Sequence, residues 1–173
     1  MKKIGIFKAM KLCKDYEKMS AEKQQEIQKK SLEEIVEYAR KNSPYYRKLY
    51  QNVPQSFSLT DLPQTDKKNL MENWNDWVCD KELTLEEVEK FMEDTDNIGR
   101  KLKKKYLVFT TSGSTGNPLV SIYDNTANNV MGGISARRSY ARKEDLVAFI
   151  KRGGKSIGVF ADKGFYLGNS SIR

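Results

Sequence analysis

Nine consecutive residues, Thr110-Thr111-Ser112-Gly113-Ser114-Thr115-Gly116-Asn117-Pro118, gather the hydroxyls and glycines that could hold an anion. Gly113 and Gly116 let the backbone turn sharply and approach a ligand closely. Successive backbone N–H groups in such a turn form a concavity suited to phosphate oxygens, and the Ser112, Ser114 and Thr115 hydroxyls add donors. On composition alone, a ligand-free Ser- and Thr-rich hairpin turn explains the stretch equally well. Other chemistries are excluded outright. The chain has no histidine, so Ser-His-Asp and Cys-His catalysis are absent, as is any metal site that needs imidazole. Cys13 and Cys79 lie far apart in unrelated contexts and read as free thiols in a reducing compartment.

The elements that must hold this loop are legible on both sides of it. Tyr106-Leu107-Val108-Phe109 before it and Leu119-Val120-Ser121-Ile122-Tyr123 after it are short apolar runs with β propensity. The first hundred residues read as mainly helical. A helix starts at Ser20, a good N-cap, and carries Leu32, Ile35, Val36 and Ala39 on one stripe. Asn42-Ser43-Pro44 stops it, because the residue before proline is pushed out of the α region. Tyr45, Tyr46 and Tyr50 then read as the amphipathic wall of a core. Residues 51–64 are a loop pinned by Leu59 and Leu62. Thr65-Asp66 caps a short helix running through Trp74 and Trp77, and Thr84 with Glu87 forms a capping box ahead of Leu85, Val88 and Met92. Beyond the loop a helix is expected from Asp124 or Asn125 to about Lys151, kinked or broken at Gly132-Gly133 and ended by Gly153-Gly154. Ser156–Ala161 reads as a last strand. At the other end, residues 1–19 are basic, with Ile4, Phe7, Met10 and Lys14 on one weak stripe. The expected fold class is therefore α/β, an α+β mixture: a helical segment over 1–100, then a partial strand–loop–strand–helix–strand portion over 101–173, together one incomplete domain.

The 173 residues suffice for a real core. Hydrophobic residues make up 38%, charged 31% and aromatic 10%, a wet composition without the signature of disorder. No apolar run reaches the length of a membrane span, and lysines cut the N-terminal apolar run too short for a signal sequence. The reading is cytoplasmic, with no membrane partner. Net charge is +8, densest at Arg100-Lys101-Leu102-Lys103-Lys104-Lys105. That run is either a solvated approach to the following strand or an attractor for a polyanion. No aromatics interleave it, so a stacking platform for single strands is not indicated, and nucleic-acid binding through this run rests on charge alone.

The loop is not a Walker A sequence, since Asn117-Pro118 rather than a lysine and a hydroxyl residue follow Gly116. Its glycine spacing also excludes a dinucleotide fingerprint. It does resemble the phosphate-binding loop of the adenylate-forming enzymes, which Thr111, Ser112, Gly113, Ser114, Thr115, Gly116 and Pro118 match position by position. Asn42-Ser43-Pro44-Tyr45-Tyr46-Arg47-Lys48-Leu49-Tyr50 and Leu62-Pro63-Gln64-Thr65-Asp66-Lys67 look like the N-terminal landmarks of one branch, the phenylacetate–CoA ligases and their capsular-polysaccharide-biosynthesis relatives. The resemblance covers roughly residues 30 to 173.

The resemblance implies an ATP-dependent ligase that joins a carboxylate to the α-phosphate of ATP, releases pyrophosphate, and passes the acyl group to coenzyme A. Thr111, Ser112, Gly113, Ser114, Thr115 and Gly116 would hold the β- and γ-phosphates, with Mg2+ sharing the charge. The family's adenine- and ribose-binding motifs, its hinge and its catalytic lysine are not found. The expectation is thus an N-terminal portion, inactive alone, with no catalytic or metal-ligating residue of its own. Many members carry a lysine beside the loop proline, where this chain has Asn117 and Leu119. A homo-oligomer or partner chain covering an exposed sheet edge is expected. The alternatives are a non-catalytic ATP- or phosphate-binding module and a partner-dependent half of a split enzyme.

Overall fold

Caps written into the sequence set several helix starts. Ser20 accepts the Lys23 N–H at the start of helix α2 (Ala21–Asn42), which follows α1 (Ile6–Glu17). Ser43 ends α2 and begins α3 (Pro44–Leu49), with Pro44 at the first helical position, where its missing N–H costs nothing. Asp66 accepts the Asn69 N–H at 2.8 Å to open α4 (Lys67–Glu72). Thr84 and Glu87 form the anticipated capping box of α6 (Leu85–Glu93). In the computed structural model, residues 3–111, 118–139, 142–155 and 164–170 are described.

Among these, the remaining α-helices and strands are α5 (Trp74–Trp77), strands β1 (Lys101–Leu102), β2 (Tyr106–Thr110) and β3 (Val120–Tyr123), α7 (Asn125–Ser139), α8 (Lys143–Lys151) and α9 (Leu167–Ser170), with short 3-10 turns at Leu59–Asp61 and Thr95–Asn97. The fold is α+β at the coarse level, mostly helical with one small antiparallel sheet ordered β1-β2-β3. β1 pairs with β2 in the register Lys101–Leu107 and Leu102–Tyr106. Every residue from Tyr106 to Phe109 is buried, so β2 is covered on both faces.

Backbone contacts divide the chain into two compact units that do not follow chain order. One comprises Met1–Met19, Thr95–Phe109 and Ser121–Arg173; the other comprises Ser20–Asp94 and Thr110–Val120. In the first unit α1 lies along α7. A Cβ placed on Gly133 would sit 2.6 Å from the Ala9 Cβ and 2.9 Å from the Ile6 carbonyl oxygen, so the absence of a side chain sets how closely the helices approach. Asn129 Nδ2 donates to the Ile4 carbonyl at 3.0 Å, and Arg137 pairs with Glu17 at 2.7 Å. In the second unit α2, α3 and α5 meet at Ser43, which is fully buried. Its Oγ donates to the Asp76 carbonyl at 2.9 Å and accepts the Tyr46 N–H at 3.3 Å. Two arginines cross-clasp the α2–α3 corner. Arg40 donates to the Tyr50 and Val53 carbonyls at 3.0 and 2.7 Å, and Arg47 to the Arg40 and Lys41 carbonyls at 3.1 and 3.0 Å.

Several expectations are corrected. The Gly132-Gly133 pair does not break its helix; α7 runs continuously through it, and the helix expected to reach Lys151 is instead interrupted at Arg142, whose backbone is extended, before α8. Tertiary contact with α1 outweighs the local cost of two glycines. The stripe of α1 that packs is Ile6, Ala9, Met10 and Cys13, which leaves Phe7 82% exposed. Ile35 and Leu59 face outward, and Phe57 rather than Leu59 anchors the 51–64 loop. The helix expected through both tryptophans breaks at Asn73 into α4 and α5. Arg100–Lys105 does not simply lead into a strand; it supplies β1 and the turn of a hairpin. The strand expected over 156–161 lies outside the described residues.

Candidate phosphate-binding loop

Alternating burial would suit a surface strand, whereas the uninterrupted apolar run Tyr106–Phe109 folds as an interior one. β3 follows it in sequence and neighbours it in the sheet. Phe109 and Tyr123 meet edge to face with ring centroids 5.0 Å apart, a favourable aromatic geometry. The chain between the strands therefore leaves and re-enters one sheet.

The base of this excursion is closed by two hydrogen bonds. The Thr111 N–H donates to the Leu119 carbonyl at 3.0 Å, and the Leu119 N–H donates to Thr111 Oγ1 at 2.9 Å. Thr111 thus serves as the clasp of the loop. Its hydroxyl spends acceptor capacity on the clasp and retains its proton as a donor. Ser112, Gly113, Ser114, Thr115 and Gly116, the other anticipated phosphate-binding residues, lie outside the described residues. Pro118 is exposed and Leu119 half-buried. Downstream, Asp124 caps α7: its Oδ1 accepts the Ala127 N–H at 2.7 Å and its carbonyl accepts the Asn128 N–H at 3.0 Å.

The two upstream landmark segments, 12 residues apart at their nearest ends, are brought together. Tyr45 of α3 hydrogen-bonds the Thr65 hydroxyl that precedes α4. Tyr46 stacks on Tyr50 at 5.2 Å and meets Tyr45 edge-on at 5.4 Å. Burial pushes the Tyr46 and Tyr50 phenols up, a shift that a hydrogen bond with Trp77 partly offsets at Tyr46. The tyrosines form a wall of the second unit, as their clustering suggested. The sequence reading missed the arginine clasps beside them, because a cation aimed at backbone carbonyls leaves no spacing signature.

Titratable chemistry is sparse. Burial pushes both Cys13 and Cys79 thiols up, with the Glu17 carboxylate adding to the shift at Cys13, so neither is an activated nucleophile at neutral pH. No group of three or more His, Cys, Asp or Glu side chains is placed to hold a metal ion among the described residues. A groove of about 760 Å³ opens elsewhere in the second unit, between α2 and residues 56–61, lined by Lys29, Leu32, Phe57 and Leu59 among others. Among the described residues no helix is long and apolar enough to cross a membrane. No family model, no curated protein and no solved structure matches the chain.

Proposed function

We propose that this chain contributes the phosphate clamp of an ATP-dependent, adenylate-forming ligase of the kind that joins a carboxylate to coenzyme A through an acyl adenylate. The observation that carries the reading is the pairing of sequence with position: the Thr111–Pro118 pattern falls on an excursion between two neighbouring strands, clasped at its base by Thr111 and Leu119. A clasped base limits the conformations open to the chain between its ends, and so lowers the ordering cost of holding a phosphate there. Mg2+ would share the charge of the β- and γ-phosphates with the Ser112, Ser114 and Thr115 hydroxyls and the backbone N–H groups. The acyl adenylate would form when a carboxylate oxygen attacks the α-phosphorus and pyrophosphate leaves. These residues then act by positioning and electrostatics, so the lack of histidine is no obstacle.

Titration calorimetry with Mg·ATP tests the reading. Binding that needs magnesium, weakens with salt and is lost on replacing Ser112 and Thr115 with alanine is expected. No heat at millimolar nucleotide refutes it. Pyrophosphate release with a panel of aliphatic and aromatic carboxylates separates the two forms of the proposal. These 173 residues alone are expected to release none, and a partner supplying the adenine site and a lysine is expected to restore release. Binding without release under both conditions leaves a non-catalytic nucleotide-binding module.

A further inference from the structure

The two compact units are of nearly equal size, 87 and 86 residues, yet opposite in charge. The unit containing α1, the β1–β2 hairpin and α7 carries 20 Lys and Arg against 7 Asp and Glu, a net +13, whereas the other carries 11 against 16, a net −5. Exposed apolar surface is divided the same way. Among the described residues, eight of the eleven exposed large hydrophobics belong to the basic unit. A nucleic-acid surface would explain the charge but gains nothing from exposed aliphatic side chains, whereas a surface that inserts side chains among lipid headgroups uses both.

Helix α1 shows the combination on one stripe. Its inner side is committed to α7 through Ala9 and the Asn129–Ile4 and Arg137–Glu17 links. Its outer side presents Phe7, Lys11 and Lys14, continued by the C-cap residue Lys18, at spacings of four, three and four residues, which align along a helix. Phe7, at 82% exposure, is the most exposed large hydrophobic described, and all three lysines are exposed. Lys8 and Leu12 form the adjoining stripe with Asp15, and α8 of the same unit adds Val147 and Ile150 at its surface. A folded unit with its core contacts satisfied has no internal use for an outward phenylalanine ringed by cations.

We infer that the outer face of α1 docks this unit on an anionic phospholipid surface, with Phe7 inserted at headgroup depth and Lys11, Lys14 and Lys18 on the lipid phosphates. The unit lies on the membrane and does not cross it. The inference is independent of the nucleotide reading, since none of these residues belongs to the loop.

Co-sedimentation with vesicles rich in phosphatidylglycerol, against vesicles of phosphatidylcholine alone, tests it. Binding to the anionic vesicles only, weakening as salt is raised, is expected. Each lysine near such a surface contributes about fivefold in affinity, so Lys11→Gln, Lys14→Gln and Lys18→Gln together should weaken binding about 100-fold. Phe7→Ala should weaken it about tenfold and Phe7→Leu much less. These positions are exposed, so an unchanged circular dichroism spectrum is expected and separates lost docking from lost folding. No binding to either vesicle, equal binding to both, or binding insensitive to Phe7 and to the three lysines overturns the proposal. So does displacement from vesicles by duplex DNA or RNA combined with indifference to Phe7→Ala, which would assign the face to nucleic acid.

Discussion

Alanine at Gly133 and alanine at Gly132 should move stability in opposite directions. Helix propensity favours both substitutions by about 1 kcal/mol. The difference lies in what each new methyl meets. At Gly133 it would lie 2.6 Å from the Ala9 Cβ, 2.9 Å from the Ile6 carbonyl oxygen and 3.1 Å from the Met10 nitrogen. Two of those are backbone atoms of α1, which cannot swing aside, so the helix must move as a body. Overpacking of that kind costs about 1–3 kcal/mol, and the rigid neighbours place it at the upper end. The net expectation for Gly133→Ala is a loss of about 1–2 kcal/mol, or about 3–6 °C in melting temperature for a chain of this size.

At Gly132 the nearest atom is Ile6 Cδ1 at 3.2 Å, the far end of a flexible, partly exposed side chain. A small rotation relieves it, so Gly132→Ala should be neutral or stabilising by up to about 1 kcal/mol. Thermal melts followed by far-ultraviolet circular dichroism measure the sign. Labelling of Cys13 in a Cys79→Ser background reports on the α1–α7 contact, because Cys13 is half-buried and close enough to Arg137 and Arg138 of α7 to feel their charges. Labelling should accelerate in Gly133→Ala and stay unchanged in Gly132→Ala. Melting temperatures that rise in both variants, or fall equally in both, refute the close-packing argument.

Three further outcomes follow from the structure. The hairpin turn after Leu102 places Lys103 and Lys104 at φ +50° and +56°, closed by the Lys105 N–H on the Leu102 carbonyl at 3.0 Å; Asn-Gly at 103–104 suits that geometry and should raise urea stability by about 1–2 kcal/mol. Ser43→Ala removes the fully buried hydroxyl that donates to the Asp76 carbonyl and accepts the Tyr46 N–H, and equilibrium denaturation should show a loss of about 1–2 kcal/mol. Tyr46 and Tyr50 have phenols raised above the ordinary 10.0 by burial, so the folded state holds their protons more tightly than the unfolded state does. The stability they contribute is present below pH 10 and lost as pH rises through their folded values; absorbance titration should show a late-ionising fraction that shrinks in Tyr46→Phe and Tyr50→Phe.

How far the sequence could be read depended on how far apart the interacting groups lie. Ser20, Asp66 and Thr84 could be named as caps because a cap and its partner are three residues apart, so residue type and spacing state the whole interaction. The flanks of the candidate loop were legible for a similar reason, since two apolar runs around a glycine-rich stretch specify neighbouring strands. The Thr111 clasp was not, because a threonine that closes a loop has the same local pattern as one that binds a ligand. The Lys103-Lys104 turn was missed because these residues are poor formers of the conformation they adopt; pairing of Leu102 with Tyr106 imposes it.

The glycine pair marks the limit most clearly. Within a window of any length that sees α7 alone, two adjacent glycines can only weaken a helix, and a kink is the correct local inference. At Gly133 the effect changes sign once α1, more than 120 residues earlier, lies against it, as the Asn129–Ile4 hydrogen bond across 125 residues records. The same contact decides which stripe of α1 is buried, and so turns Phe7 outward with Lys11, Lys14 and Lys18. The sequence pattern around Phe7 is compatible with a core position, and only the close approach at Gly133 excludes it. The packing argument and the proposed lipid-facing surface therefore share one geometric cause. If Gly133→Ala loosens α1, it should also weaken vesicle binding without altering a single residue of the docking stripe.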